Sequence, residues 1–553
     1  MDYSRALLAV VLSFLILVGY QYFLAPKNQP ASAPATTTQQ NSTANQDAGP
    51  NKDEAATPGA VSQVKAVPVN PAAKDITIDT SLYTAVISEQ GGTIKGFSLK
   101  QYRETIQKDS GPMELVSTKQ PATRPLLFSI DNGSSQNLPL FSPDKPEWSR
   151  KTSPNGAVEL VLTSELSEGI RITQTMHFDD KSYLIPVQYK LENTTNRPVQ
   201  VSPALTWNSV PFAHASLAGK YLFSGPAAYS NNELLTVKTK ELEKGPVVQQ
   251  GLISWAGYTD SYFITAVMPE SKAPQTLSVQ LLDKEKELTR NILSQGMSSL
   301  PANGSQTYAY TLYMGPKKLT VLQSVGHELS KAINYGWFDI IAKPMLWLLN
   351  FFYSFSKNYG IAIILLTILI KGAFWPITQK GMQSMKNMQK LQPKIAKLRE
   401  KFKDDPAKMN QEMMGLYKTY KINPIGGCLP MIIQIPFFFA LYKVLMAAIE
   451  LRHAPFMLWI NDLSAPDRLW VGFDIPYLHG LPVLTLLMGA SMFLQQKMTP
   501  TTADPTQARV MQFLPIIFTF MFLNFASGLV LYWLVNNLLS ILQQQLINRK
   551  SKA

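Results

Sequence analysis

Tyr359-Gly-Ile-Ala-Ile-Ile-Leu-Leu-Thr-Ile-Leu-Ile-Lys-Gly-Ala-Phe-Trp-Pro-Ile-Thr378 is a run of 20 residues with one charge. About 20 predominantly apolar residues are what a helix needs to cross the hydrocarbon core of a bilayer. Four later stretches read the same way, over residues 428–448, 481–497, 510–525 and 528–547. One more lies at the N-terminus, over residues 1–25, with an apolar core from Ala6 to Leu24. That core is longer than the roughly 7–15 residues of a cleaved signal peptide, so an uncleaved anchor is predicted; Ala31-Ser32-Ala33 is the alternative, a cleavage site. The six stretches predict a polytopic α-helical membrane protein with six transmembrane helices.

Composition narrows the function. The 553 residues hold 51 Lys+Arg against 38 Asp+Glu, a net charge of +13, and only 16% are charged, below the roughly 25% of soluble domains. Cys428 is the lone cysteine, which excludes an intramolecular disulfide and a Cys-rich metal site. The five histidines are scattered, and His327-Glu328 begins a zinc-helix pattern that fails at Lys331. No G-x-x-x-x-G-K-[ST] is present. No catalytic group, metal or cofactor is therefore predicted.

The placement of charge orients the spans. Residues 379–427 hold eleven basic and four acidic side chains, a net +7, and the tail after residue 547 is also basic. Residues 449–480 carry a net −2. Lys/Arg-rich short loops stay in the cytoplasm. Hence both termini, the 379–427 loop, the 498–509 loop and the 548–553 tail are predicted inside, and the 449–480 loop outside. The basic excess marks a membrane face, and no direct DNA binding is expected.

Between the first two spans lie three segments of different character. Residues 26–75 are Pro, Ala, Thr, Ser, Asn and Gln with almost no large apolar side chain, a linker with too little to bury to offset its chain entropy. Residues 76–322 alternate apolar and polar, as in Gly169-Ile-Arg-Ile-Thr-Gln-Thr-Met-His-Phe178, with turns at Gly91-Gly92 and Asp179-Asp180-Lys181. Many short strands over such a length predict a large all-β sandwich. Residues 323–358 are amphipathic and aromatic, containing Asp339 and Lys343, and predict a helix lying along the membrane surface.

Lys371 is the only ionisable residue deep within any of the six stretches. Burying that charge in lipid costs about 2.5–3.5 kcal/mol even on the most lenient scale, so a functional reading is the default and snorkelling the alternative. Thr367 and Thr378 share its helical face. The last span has its own polar stripe, Asn536, Asn537, Ser540, Gln543 and Gln544, which must find partners or water. The two stripes together predict a hydrated groove. The third span instead presents an apolar wall of Ile432, Ile435, Phe437, Phe438 and Phe439.

The 379–427 loop reads as a helical hairpin. Its first helix repeats Met382, Met385, Met388, Leu391, Ile395 and Leu398, and Asp405-Pro406 caps a second that carries Met409, Met413 and Leu416. Flexible thioethers suit a surface that accepts varied apolar partners, or they glue the two helices together.

Asn423-Pro-Ile-Gly-Gly-Cys-Leu-Pro-Met-Ile-Ile-Gln-Ile-Pro-Phe-Phe438 resembles the third-helix signature of the YidC family of membrane protein insertases. Ala454-Pro-Phe-Met-Leu-Trp-Ile-Asn-Asp-Leu-Ser464, Gln496-Lys-Met-Thr-Pro-Thr501 and Ser527-Gly-Leu-Val-Leu-Tyr-Trp533 fit the same family, and the likeness runs the length of the chain. The resemblance implies a bacterial inner-membrane insertase and chaperone, without covalent catalysis, whose β domain is periplasmic. It implies a groove open to cytoplasm and lipid, with Lys371, Thr367, Thr378, Asn536 and Ser540 lining it. It implies a slide for the substrate helix along Ile435, Phe438, Met521 and Trp533. The hairpin, through Met382, Met385, Met409 and Met413, would receive nascent membrane proteins first. The implied partners are those nascent chains, the Sec translocon, the ribosome, the signal-recognition pathway and membrane lipids. Two departures stand out: lysine occupies a position usually held by arginine, and the basic tail is short. A secondary transporter would show internal repeats, and an intramembrane serine protease a histidine within a span; neither is present in the sequence.

Overall fold

The computed structural model describes residues 67–550, except 108, 119, 134–137, 144–156, 167–168, 213–222, 403–404, 421–428 and 499–504. The expected anchor, most of the linker, the Asn423 to Cys428 part of the signature and residues 551–553 lie outside the described residues. The chain forms two compact units. One holds the β domain with helices from residues 319–379, 428–498 and 515–550; the other holds the hairpin of residues 380–427.

The strands begin at Asp75 and end at Pro316, close to the expected 76–322. A nine-stranded sheet runs in the order Glu233–Thr236, Gly225–Ser230, Ile253–Thr259, Phe263–Pro269, Ser305–Pro316, Leu184–Asn193, Ile170–Phe178, Val158–Leu166 and Ser142–Pro143. A five-stranded sheet, Val247–Gly251, Gln275–Asp283, Leu288–Ser294, Ala204–Ser209 and Leu127–Ser129, faces it. The two layers meet where Phe128 stacks on Tyr189 at 4.2 Å and Asn291 donates to the Gly257 carbonyl at 3.2 Å. Strand Ile170–Phe178 keeps the period of two, with Ile170, Ile172, Met176 and Phe178 buried. Strands Ala204–Ser209, Phe263–Pro269 and Leu288–Ser294 are buried along their whole length, because a second layer covers their other face. Each fully buried Phe, Tyr or Leu here contributes about 1.5–3 kcal/mol.

The expected surface helix over 323–358 is shorter than predicted. Helix α1 (Leu319–Val325) stops at Gly326, with φ 78°, and two 3₁₀ turns, Leu329–Ala332 and Gly336–Phe338, follow before helix α2 (Asp339–Ser356). Glycines at positive φ, Gly326 and Gly336, break the periodicity that suggested one element. In α2, Ala342, Met345, Leu346 and Leu349 are buried at helical spacing, while Ile340, Trp347 and Phe355 stand 86%, 64% and 63% exposed. One largely apolar face of α2 is thus left uncovered.

Helix α3 spans Tyr359–Lys401, so the expected boundary at residue 379 is a change of polarity and not a helix end. After Thr378 come Gln379, Lys380, Gly381, Met382 and Gln383; apart from the single Gly381 these are good helix formers, which end the apolar run without ending the helix. Helix α4 is Pro406–Thr419, α5 Leu429–Ala447, α6 Val483–Met498, α7 Pro505–Phe522 and α8 Ser527–Lys550. The fifth expected span, 510–525, thus ends three residues early. Among the described residues, one helix is both long and apolar enough to cross a membrane, over Tyr359–Leu398, with shorter apolar helices at Ile432–Ala447 and Gln512–Phe522. Helices α6 and α7 approach through Gly489, where a Cβ would stand 2.1 Å from Thr519 Oγ1. Small residues give this closeness in lipid.

The hairpin unit has a core of its own. Leu391 and Ile395 of α3 pack with Met413 of α4, flanked by Leu398, Leu416 and Tyr417. Asp405 caps α4 by accepting from the Lys408 backbone N–H at 3.0 Å, as the Asp-Pro pair predicts. Met413, expected to capture substrate, is 8% exposed inside this core, while Met414 is 51% exposed. Met382, Met385 and Met409 are half-buried. Replacing Met413 by Ala is therefore expected to destabilise the hairpin by about 2–5 kcal/mol, read as faster amide exchange across α4; unchanged exchange would return Met413 to the surface.

Candidate functional site

The polar stripes of α3 and α8 face each other. Lys371 is 6% exposed, and its Nζ donates to Ser540 Oγ at 2.7 Å and to Asn536 Oδ1 at 3.5 Å. Gln434 of α5 donates to the same Asn536 oxygen at 3.5 Å. Two turns further along α3 and about one along α8, Thr378 and Gln543 exchange hydrogen bonds at 2.8 and 3.2 Å, and Gln543 also donates to the Trp375 carbonyl at 3.3 Å. On the far side of α8, Asn537 donates to Ser491 of α6 at 3.1 Å, and Gln544 donates to the Met498 carbonyl.

This arrangement answers the demand of lipid that polar groups be satisfied inside the protein. The Lys371 ammonium is held between α3 and α8 by these two oxygens. Residues 359–378, 429–447, 483–497 and 527–547 contain no Asp or Glu, so its charge is met by neutral oxygens alone. An ammonium has three donors, and the protein engages two. Of the expected groove residues, Lys371, Thr378, Asn536 and Ser540 come together. Thr367 is buried nearby, but its hydroxyl donates to the Ile363 carbonyl at 2.6 Å and is committed to its own helix.

The expected slide divides in two. Ile435 and Met521 are 39% and 48% exposed. Phe438 and Trp533 are partly buried and meet edge to face at 4.8 Å, with Phe522 5.1 Å from Trp533. The apolar wall read on the third span is thus not one surface: Phe437 packs on Phe374 at 4.8 Å and Phe439 on Phe338 at 5.7 Å, leaving Ile432 and Ile435 outermost.

Residues 75–348 match the family described as YidC periplasmic domain, and residues 351–553 the family described as 60Kd inner membrane protein. A membrane protein insertase YidC from Syntrophobacter fumaroxidans is 41% identical over 551 residues, covering 99% of both chains. One from Geobacter sulfurreducens is 41% identical, over 99% of this chain and 98% of the relative. The chain belongs to the YidC family of membrane protein insertases. A solved active YidC insertase with its first transmembrane domain resolved is 18% identical, with a TM-score of 0.35, over 87% of this chain and 93% of that one.

A YidC-family reading of the sequence passes over one lysine. Lys443, near the end of α5, donates to the Tyr335 carbonyl at 2.8 Å, with the Phe338 ring 5.6 Å away. A single charge four residues from a helix end reads as an interfacial anchor, and nothing local names its partner. Arg452 in the following loop likewise reaches the β domain, donating to the Glu104 carbonyl at 3.1 Å over the Phe263 ring.

Ser540→Ala leaves Lys371 with only its longer contact to Asn536. It is expected to cost about 1.5–3 kcal/mol, the worth of a hydrogen bond to a charged group, seen as a lower unfolding midpoint in detergent. Lys371→Met with Ser540→Ala should cost less than the sum of the two single changes; strict additivity would mean that the two residues are not coupled.

Proposed function

We propose that this chain integrates nascent proteins into the bacterial inner membrane, and helps them fold, by offering the polar layer around Lys371 to their hydrophilic segments. The observation that carries this reading is a buried ammonium among neutral oxygens, with no acid in the helices that hold it. A substrate acid supplies the missing counter-charge, and attraction across such low-dielectric surroundings exceeds that in bulk water. The substrate's apolar helix then leaves past Ile435 and Met521, with Phe438 and Trp533 fixing the wall behind them. No covalent step is needed.

The same reading places six spans in the inner membrane with both termini in the cytoplasm, the β domain and the 449–480 loop in the periplasm, and α2 along the outer surface. Its support is the +7 and −2 charge of the alternating loops. The hairpin takes the nascent chain from the ribosome and signal-recognition pathway, through Met382, Met385, Met409 and the exposed Met414 in place of Met413. The protein works alone or beside the Sec translocon.

Reconstituted insertion with substrates differing only in the charge of the translocated segment tests the central claim. Lys371→Arg should retain activity, because either head group supplies one positive charge. Lys371→Ala should slow acidic segments by at least about tenfold, the equivalent of about 1.4 kcal/mol, and Lys371→Glu should be worse. Equal activity of the three variants on every substrate would refute the electrostatic reading. Deleting residues 28–301 should leave substantial insertion, since every residue invoked above lies later in the chain; complete loss in a folded variant would reject that division of labour.

A further inference from the structure

A cavity of about 300 Å³ lies where the β domain meets the helices of its own unit. Strand residues, the 3₁₀ turns before α2, Leu346 of α2 and the end of α5 wall it. Its size is at the lower end of small-ligand sites, about 300–1,000 Å³. Its lining combines an apolar side, including Leu346 and Ala448, with two ammonium and two carboxyl groups, Lys317, Lys443, Asp260 and Glu450.

Those four groups are incompletely answered by the protein. Lys317 donates to the Asp260 carbonyl at 2.7 Å and Lys443 to the Tyr335 carbonyl at 2.8 Å, so each meets a backbone oxygen with one of three donors. Asp260 Oδ1 accepts from the backbone N–H groups of Tyr262 and Phe263 at 2.8 and 2.6 Å, which fixes the carboxylate at the cavity edge. Glu450 has Asn350 as a side-chain partner. Ser261 Oγ, also in the lining, is buried with no hydrogen-bond partner. Buried polar groups without partners cost free energy that a suitable ligand recovers.

We propose that this cavity binds a zwitterionic amino-phosphodiester, its phosphate on Lys317 and Lys443 and its ammonium on Asp260 and Glu450. Charge complementarity selects this class: a simple anion would meet two carboxyls, and a simple amine two lysines. Burial disfavours the charges as they stand, pushing Lys317 down to about 8 against the pull of Asp260, and pushing the carboxyls of Asp260 and Glu450 up. A zwitterion supplies a counter-charge of each sign. Its source is either a soluble headgroup or a phospholipid of the outer leaflet; the lipid source rests on the topology proposed above, and the binding chemistry does not. Trp337 and Ile340, 100% and 86% exposed beside the cavity wall, are the side chains that would meet such a leaflet.

Binding is measured on the delipidated full chain in detergent, by native mass spectrometry, with dihexanoyl-phosphatidylethanolamine, dihexanoyl-phosphatidylglycerol and glycerophosphoethanolamine. One phosphatidylethanolamine should bind at least about tenfold tighter than phosphatidylglycerol, a difference of about 1.4 kcal/mol. Ala448→Phe, which fills the cavity, should abolish binding, and Glu450→Gln, which removes one of the two carboxylates that would hold the ammonium without changing side-chain size, should abolish that preference, while the unfolding midpoint shows each protein folded. Equal binding of glycerophosphoethanolamine supports the chemistry and assigns a soluble source; much weaker binding assigns the lipid. Absence of binding, no preference between the two lipids, or a preference that survives in both folded variants overturns the proposal. Because no insertion step is read, this outcome is separate from that of the Lys371 series.

Discussion

One positive charge inside an apolar layer constrains the helical region. In lipid, a polar group finds its partner within the protein or its charge is strongly disfavoured. Lys371 meets Ser540 and Asn536, and Gln434 closes the triangle from a third helix. The Thr378–Gln543 pair, two turns along α3, ties the same two helices again. These contacts hold α3, α5 and α8 by directional bonds where packing alone is weak, because lipid tails solvate leucine as well as another helix does. The aromatic cluster of Phe438, Phe522 and Trp533 then joins α7 to α5 and α8 by area and shape. The partners of the Lys371 ammonium are neutral oxygens, so no carboxylate of these helices cancels its charge.

A helix of 43 residues carries both that lysine and half of the hairpin core. Its chemistry changes along its length while its backbone does not. The hairpin, whose core among the described residues is Leu391, Ile395 and Met413, has little apolar area there to stabilise it, and such small cores open readily. Met413 belongs to that packing, while the neighbouring Met414 stays exposed.

On the β side, basic side chains from the helical region, Lys443 and Arg452, end on backbone carbonyls of the connection and of the β domain. Ion pairs with single carboxylates would need matched desolvation of two groups. Carbonyl partners accept the charge while the backbone keeps its place, and the lining of the junction cavity retains unused donors and acceptors as a result.

The chain's own residues announced a great deal. Hydropathy and length located α5, α6, α7, α8 and the start of α3 to within a few residues, the Asp405-Pro406 pair gave the start of α4, and the period of two in Ile170–Phe178 gave strands in a sandwich. Lys371 stood out because a charge within an apolar run is costly wherever the helix packs. What periodicity records is that a helix has a polar face, not which face of another helix meets it. Thus the stripes of α3 and α8 were legible singly, while the bond from Lys371 to Ser540, 169 positions away, was decided by packing. The same holds for strand Leu184–Asn193 lying beside Ser305–Pro316, for Met413 turning inward while Met414 turns out, and for the meeting of Lys317, Lys443, Asp260 and Glu450 around one cavity. Local sequence sets each element's preference at a few residues' range; which surfaces find each other depends on the area and the hydrogen bonds gained by the whole assembly, and that sum exists only in the folded chain.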